Sequence, residues 1–241
     1  MNFLICNAIF LLERVSVGSF QHFLPVILAI LFAVFFIKYA KSKLKENQQN
    51  RVIHRFACFV SLTVIVFHIH KLSFGHYNIA TDLPLYLCSL LGIIIPVFTY
   101  YRKLWMYEVL LFWIIVGTLQ GVITPDIPEG FPSFDYFRYW IVHLGLLIII
   151  SYAIFVLKMR PKLKSVFKSF LALQFYLLMT VTINYVLNSN YFYLNQKPKS
   201  ASILDCFGAW PYYIIVSQIL VIPSFLLIYF LFALVRKGKM S

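Results

Sequence analysis

The chain has 241 residues, of which 61% are hydrophobic and only 12% charged, and its formal net charge is +13. Soluble domains are about 45–50% apolar and about 25% charged, so the composition excludes an ordinary soluble enzyme and points to an all-α polytopic membrane protein. The basic residues sit in short loops beside apolar segments, which argues against nucleic-acid binding and for charge-directed membrane insertion.

Residues 1–19 are apolar but are interrupted by Glu13 and Arg14. They read as an interfacial segment rather than a span. A basic n-region and a small-residue cleavage site are both lacking, so no cleavable signal peptide is expected. About 20 apolar residues cross a bilayer as a helix. On that basis residues 20–40, 54–72, 83–101, 104–124, 137–157, 166–188 and 210–235 read as seven transmembrane helices forming one membrane domain over 20–235. A basic tail, 236–241, comes after them.

Every alternate loop is basic. Lys38, Lys41, Lys43, Lys45, Arg51 and Arg55 flank the first connection, and Arg102 and Lys103 the third. The fifth has Lys158, Arg160, Lys162, Lys164 and Lys168, and the tail has Arg236, Lys237 and Lys239. The other loops hold most of the acids: Asp82, Asp126, Glu129, Asp135 and Asp205. This asymmetry predicts an outside N-terminus and a cytoplasmic C-terminus. It also favours contact with anionic headgroups. The expected location is a cell membrane, crossed several times.

The polar residues within the spans share one depth. If helix three begins near Asp82, Cys88 lies roughly 9 Å in, and His143 lies roughly 8 Å into helix five at about 1.5 Å per residue. His68, Gln120, Thr124, Asn184, Ser217 and Gln218 fall in the same outer zone. Gly117, Gln120, Gly121 and Thr124 are spaced i, i+3, i+4, i+7 and make one stripe. Cys88, Gly92 and Pro96 make another, and Thr180, Asn184 and Asn188 a third. An unpaired polar group costs about 2–7 kcal/mol in an apolar medium, so these stripes should face the bundle interior. His68 and His70 point apart, and His70 is expected at the interface. The four cysteines, Cys6, Cys58, Cys88 and Cys206, show neither metal-ligand nor redox spacing and do not read as a disulfide framework. No metal or cofactor is expected.

Each candidate has a structural counterpart. Small-xxx-small stripes pack membrane helices, and Asn or Gln can bridge them. A buried Cys often behaves as a small hydrophobe. A thiol and an imidazole at one depth can instead form a nucleophile and its base.

The order of segments is distinctive: DLPLYLCSL at residues 82–90, GTLQGVITPDIPEGFPSF at 117–134, RYWIVHLG at 138–145, and NYVLNSNYFYLNQKPKSASILDCFGAWPYY at 184–213. It resembles the YwaF-like family of bacterial integral membrane proteins over roughly residues 20–235. GAWPYY stands here where GPWPWY is usual in that family. The family is in turn similar, at greater distance, to mammalian transmembrane acyltransferases that remodel ether phospholipids. There a Cys on the third helix carries the acyl chain, helped by a His on a later helix. The resemblance implies Cys88 and His143 as the catalytic pair, membrane phospholipids as partners, and a bacterial cytoplasmic membrane. Gln120 and Asn184 are candidate oxyanion donors and Gln218 a weaker one, with His68 and Thr124 lining the cavity. The 20-residue connection after Asn188 is a candidate lid. No protein partner is expected. The alternative classes are a non-catalytic lipid or small-molecule binder, a transporter, and a scaffold whose stripes only set packing.

Overall fold

The computed structural model describes residues 13–75 and 77–237. Among these residues there are helices and irregular connections but no strand. Seven helices run back and forth: α1 (Phe20–Lys43), α2 (Glu46–Ser73), α3 (Leu87–Tyr101), α4 (Leu104–Ile123), α5 (Phe134–Phe155), α6 (Leu163–Leu187) and α7 (Tyr212–Lys237). Six are long and apolar enough to cross a membrane, whereas α3, with 15 residues, is shorter. Residues 1–12 of the expected interfacial segment and 238–241 of the tail lie outside the described residues.

The expected start of the third span is corrected by the fold. Helix α3 begins at Leu87, not near Asp82. Pro84 disfavours helical backbone at Leu83. The Asp82 carboxylate accepts from the Asn78 N–H at 2.9 Å and from Lys71 Nζ at 2.7 Å. The Leu83 N–H donates to the Tyr191 hydroxyl at 2.9 Å. The backbone here is therefore satisfied by loop partners, and a helical ladder is not needed to bury it. Cys88 consequently sits in the first turn of α3 instead of a turn and a half inside it.

Helix α4 departs from regularity in its middle. It is α-helical to Phe112, π-helical over Trp113–Thr118, and α-helical again to Ile123. A π-turn inserts one residue and rotates the helix beyond it, and such turns are frequent at functional sites. Two serines cap helices as their chemistry dictates. Ser19 accepts from the His22 N–H at the start of α1, and Ser133 from the Tyr136 N–H at the start of α5.

The core lies where α2, α3 and α5 meet. Ala57, Val60, Val64, Leu91, Ile95 and Leu146 are fully buried there. Gly92 and Gly145 let these helices approach. A Cβ on Gly145 would stand 2.6 Å from Val60 Cγ2, and one on Gly92 3.0 Å from Val64 Cγ2. Lipid is as apolar as Leu, so close packing over small residues holds such helices together. Large apolar side chains such as Phe20 on α1, Phe175 on α6 and Leu227 on α7 point outward.

The two ends of the bundle differ. The loops 44–45, 102–103 and 156–162 form a basic end. Nearby, Glu108 is only 4% exposed, ion-paired with Lys168 and hydrogen-bonded by the Ser165 hydroxyl at 2.8 Å. It is a paired charge between α4 and α6, not an open site. The opposite end carries Asp82, Asp126 and Asp135 and encloses a cavity.

Candidate functional site

The cavity at the carboxylate end has a volume of about 590 Å³. Cys88 and His143 both line it, Cys88 from the first turn of α3 and His143 from the third turn of α5. Gly117, Gln120, Gly121 and Thr124 all line it from α4 and its C-terminal end, as their spacing requires. His68 enters from α2 and Gln218 from α7. His70 is exposed and packs on Phe74, so the two histidines do diverge. Deeper in, Trp113, Leu173, Leu177, Val221 and Phe225 make an apolar wall.

The thiol and the imidazole have separate partners. Cys88 Sγ lies 3.6 Å from the Thr118 hydroxyl. His143 Nδ1 lies 2.8 Å from the Tyr139 carbonyl oxygen. A carbonyl only accepts, so Nδ1 carries the proton and Nε2 keeps its lone pair. The Tyr139 ring stacks on the imidazole with centroids 3.9 Å apart. Its hydroxyl donates to the Gly121 carbonyl at 2.8 Å. His143 is thus held in one tautomer and one plane, with Nε2 against α4 at Gly121.

Thr118 is a member of the site that the residue spacing did not select. The stripe through Gly117 and Gln120 assumes a regular helix. The π-turn ends at Thr118, and the fully buried Thr118 hydroxyl meets the sulfur. Only the crowding of Gly117 against Leu87, where a Cβ would come within 2.7 Å, points to this contact, and that too is a tertiary fact.

The other sequence candidates separate. Asn184 does not line the cavity. It is 3% exposed and ties down the chain after α6. Its amide donates to the Tyr191 carbonyl, while its Oδ1 accepts from the Ser189 hydroxyl and the Tyr191 N–H at 2.8 Å each. The expectation that Asn184 donates to an oxyanion is therefore corrected, because both ends of its amide are occupied by its own loop. The Gln218 Oε1 accepts from Gln174 at 2.9 Å. The Thr124 hydroxyl donates back to the Gln120 carbonyl at 3.1 Å. The Gln120 side chain makes no hydrogen bond to the described residues and faces the cavity. His68 Nδ1 is buried and has no hydrogen-bond partner among the described residues.

Loops at the carboxylate end line the mouth. Phe192, Tyr193, Leu194 and Leu204 from the connection 188–211 line the cavity. Asp126, after α4, ties that connection in place. It accepts from the Tyr193 hydroxyl at 3.1 Å and the Ser200 hydroxyl at 2.8 Å, and it pairs with Arg14. Burial, reinforced by the Asp126 carboxylate, pushes the Tyr193 phenol far above its ordinary value, so it stays a donor. Arg138, at the rim, is bound to Asp135 with Nε at 2.9 Å and lies over the Phe67 ring at 4.3 Å.

Residues 17–229 match a family model, that of the TMEM164 family. The chain belongs to the TMEM164 family. The match runs from just before α1 into α7 and so covers every cavity-lining helix. No curated protein and no solved structure matches the chain. With six candidate spans and a shorter apolar helix, this TMEM164-family chain is a multi-pass membrane protein. Among the described residues no group of three His, Cys, Asp or Glu is arranged to hold a metal ion.

Proposed function

We propose that this protein is a membrane-embedded Cys/His acyltransferase or transacylase, with hydrolysis as a variant of the same chemistry, acting on the acyl chains of glycerophospholipids. The observation that carries the reading is a thiol and a tautomer-fixed imidazole on the wall of one cavity whose deep side is apolar. The resemblance to YwaF-like proteins, and more distantly to ether-lipid acyltransferases, supports the same pair.

Nε2 of His143 takes the Cys88 proton, which requires the thiol to exchange Thr118 for the imidazole. The Thr118 hydroxyl then donates to the thiolate, or holds the sulfur in place. The sulfur attacks the ester carbonyl, a C–S bond forms, the C–O bond breaks, and His143 returns its proton to the leaving lysolipid. Cys88 lies in the first turn of α3, so its own N–H and that of Ser89 have no intrahelical acceptor. These amides and the Gln120 side chain are the proposed oxyanion donors. Loss of one such donor typically costs about 100- to 1,000-fold in rate. An acceptor alcohol or water, deprotonated by His143, then attacks the thioester; a C–O bond forms as the C–S bond breaks, and His143 returns the proton to Cys88.

In this reading the carboxylate end faces outward and the basic end the cytoplasm of a bacterial cell, in line with the loop charges. The acyl chain lies along Leu173, Leu177, Val221 and Phe225, and the headgroup meets Arg138, Lys71 and their carboxylates.

The test is mass spectrometry of the protein purified with native lipid. A hydroxylamine-sensitive acyl adduct on Cys88 is expected, absent in Cys88→Ala and diminished in His143→Ala. Lack of any adduct and of lysolipid release after incubation with phospholipid would turn the assignment to a non-catalytic lipid binder or a transporter.

A further inference from the structure

A second sulfur–imidazole pair lies near the basic end, on the other side of the core from the cavity. Cys58 Sγ is 3.6 Å from His54 Nε2, one turn earlier on α2. His54 Nδ1 is 3.0 Å from the Thr99 hydroxyl on α3. That hydroxyl also reaches the Pro96 carbonyl at 3.1 Å and the Ile95 carbonyl at 3.3 Å. Those carbonyls can take the Thr99 proton, which leaves the hydroxyl oxygen free to accept from His54. In the tautomer in which Nδ1–H donates to Thr99, Nε2 turns its lone pair toward the thiol. A nucleophile, a base and a group that orients the base stand in one line.

Position gives this relay a reagent. Cys58 is exposed, one turn beyond the exposed Arg55. The exposed Tyr100, Tyr101 and Trp105 lie about a turn nearer the basic end than Cys58, as interfacial aromatic residues do. His54 packs beside the Tyr100 ring, with centroids 5.6 Å apart. Nearer the basic end, where α1, α2, the end of α3 and the connection after α5 meet, a cavity of about 590 Å³ opens. It is lined by Lys41, Arg102 and Lys158, with Glu46, Gln49 and Asn50. Its three cations have no ion-pair partner among the described residues. Arg102, at φ 51°, is the left-handed C-cap of α3, and Lys158, at φ 56°, lies in the turn that closes α5.

We propose that Cys58 is an acyl-acceptor site, activated by His54 and loaded from a long-chain acyl thioester whose carrier bears phosphates that dock among Lys41, Arg102 and Lys158. The Cys58 proton passes to Nε2, and the sulfur attacks the acyl carbonyl. The new C–S bond forms as the carrier's C–S bond breaks, and the departing carrier thiolate takes the proton back from His54. The acyl chain lies in the adjacent bilayer, and no oxidant or reductant is needed. The proposal is independent of Cys88.

The experiment uses the full chain in lipid nanodiscs with Cys6→Ser, Cys88→Ala and Cys206→Ser, leaving Cys58 as its single cysteine. Alkyne-tagged palmitoyl-coenzyme A is the probe, and palmitoyl-N-acetylcysteamine, a thioester without phosphates, is its control. Hydroxylamine-sensitive labelling of Cys58 is expected, lost in Cys58→Ser and slowed roughly 100-fold in His54→Gln. Thr99→Val should slow it too, in protein whose helical circular dichroism is unchanged. The coenzyme A thioester should label at least about tenfold faster than the control, and Arg102→Ala should remove that preference. Absence of the label, or a rate indifferent to His54→Gln, overturns the relay. Equal rates for the two thioesters overturn the phosphate cavity. Adduct formation at Cys88 in the unmodified chain reports on the other site alone, so either assignment can fail without the other.

Discussion

The His143 imidazole rests directly on the backbone of Gly121, where a Cβ would meet its Cδ2 and Nε2 atoms at 2.7 Å. That contact fixes where Nε2 stands, because Tyr139 stacks on the face of the same ring. The glycine is needed for close approach, not for an unusual backbone angle.

Gly121→Ala should therefore displace the base while leaving the bundle folded. Displacement of a catalytic group by about 1 Å can cost on the order of 100-fold. Acyl loading of Cys88 should fall by about that factor in single-turnover assays, in protein whose helical circular dichroism is unchanged. Full loading in Gly121→Ala would remove His143 from the chemistry.

The Gly145–Val60 contact makes a separate, purely structural prediction. Gly145→Ala drives a methyl to 2.6 Å from Val60 Cγ2, and overpacking of this kind costs about 1–3 kcal/mol. Adding Val60→Ala should recover most of the loss. A double-mutant cycle of thermal denaturation in detergent measures this, and additive effects would mean that the two helices part without strain.

Asp126 joins three segments at the carboxylate end, its own loop and those of Arg14 and of Tyr193 with Ser200. Asp126→Ala should loosen the covering connection without touching Cys88. Hydrogen exchange over residues 190–205 should speed up on the order of tenfold, one hydrogen bond to a charged group being worth about 1.5–3 kcal/mol. Unchanged exchange there would show that the apolar contacts of Phe192 and Leu204 hold the cover by themselves.

The turn before α3 should be acid-sensitive. Burial alone would raise the Asp82 carboxyl, but hydrogen bonds from Lys71 and from the Asn78 N–H, with the ammonium charge, outweigh it and hold it below its ordinary value of 3.8. A depressed folded-state value stabilises fully above pH 3.8 and is lost as pH falls through the lower value. Asp82→Asn should cost about 1–2 kcal/mol at neutral pH, allowing for the partly exposed lysine. The gap between the two proteins should close in acid when their melting is compared across pH.

That this is a helical membrane protein, where most of its spans lie, and that Gly117, Gln120, Gly121 and Thr124 share a wall could all be read along the chain. Long apolar runs and i, i+3, i+4 spacing are local properties, and local geometry converts them directly into spans and faces. The same reading placed Cys88 and His143 near one end. Other features arise only from packing. The start of α3 depends on Asp82 and Leu83 finding partners in Lys71 and Tyr191, which are remote in the chain. Thr118 reaches Cys88 only because a π-turn breaks the 3.6-residue period. Asn184 looked like a cavity donor by depth, but the fold commits its amide to Ser189 and Tyr191. His54 and Thr99 lie on different helices, and their hydrogen bond exists only once α2 and α3 have packed. Hydrogen-bond partners are chosen by proximity in space, which periodicity along a chain does not encode.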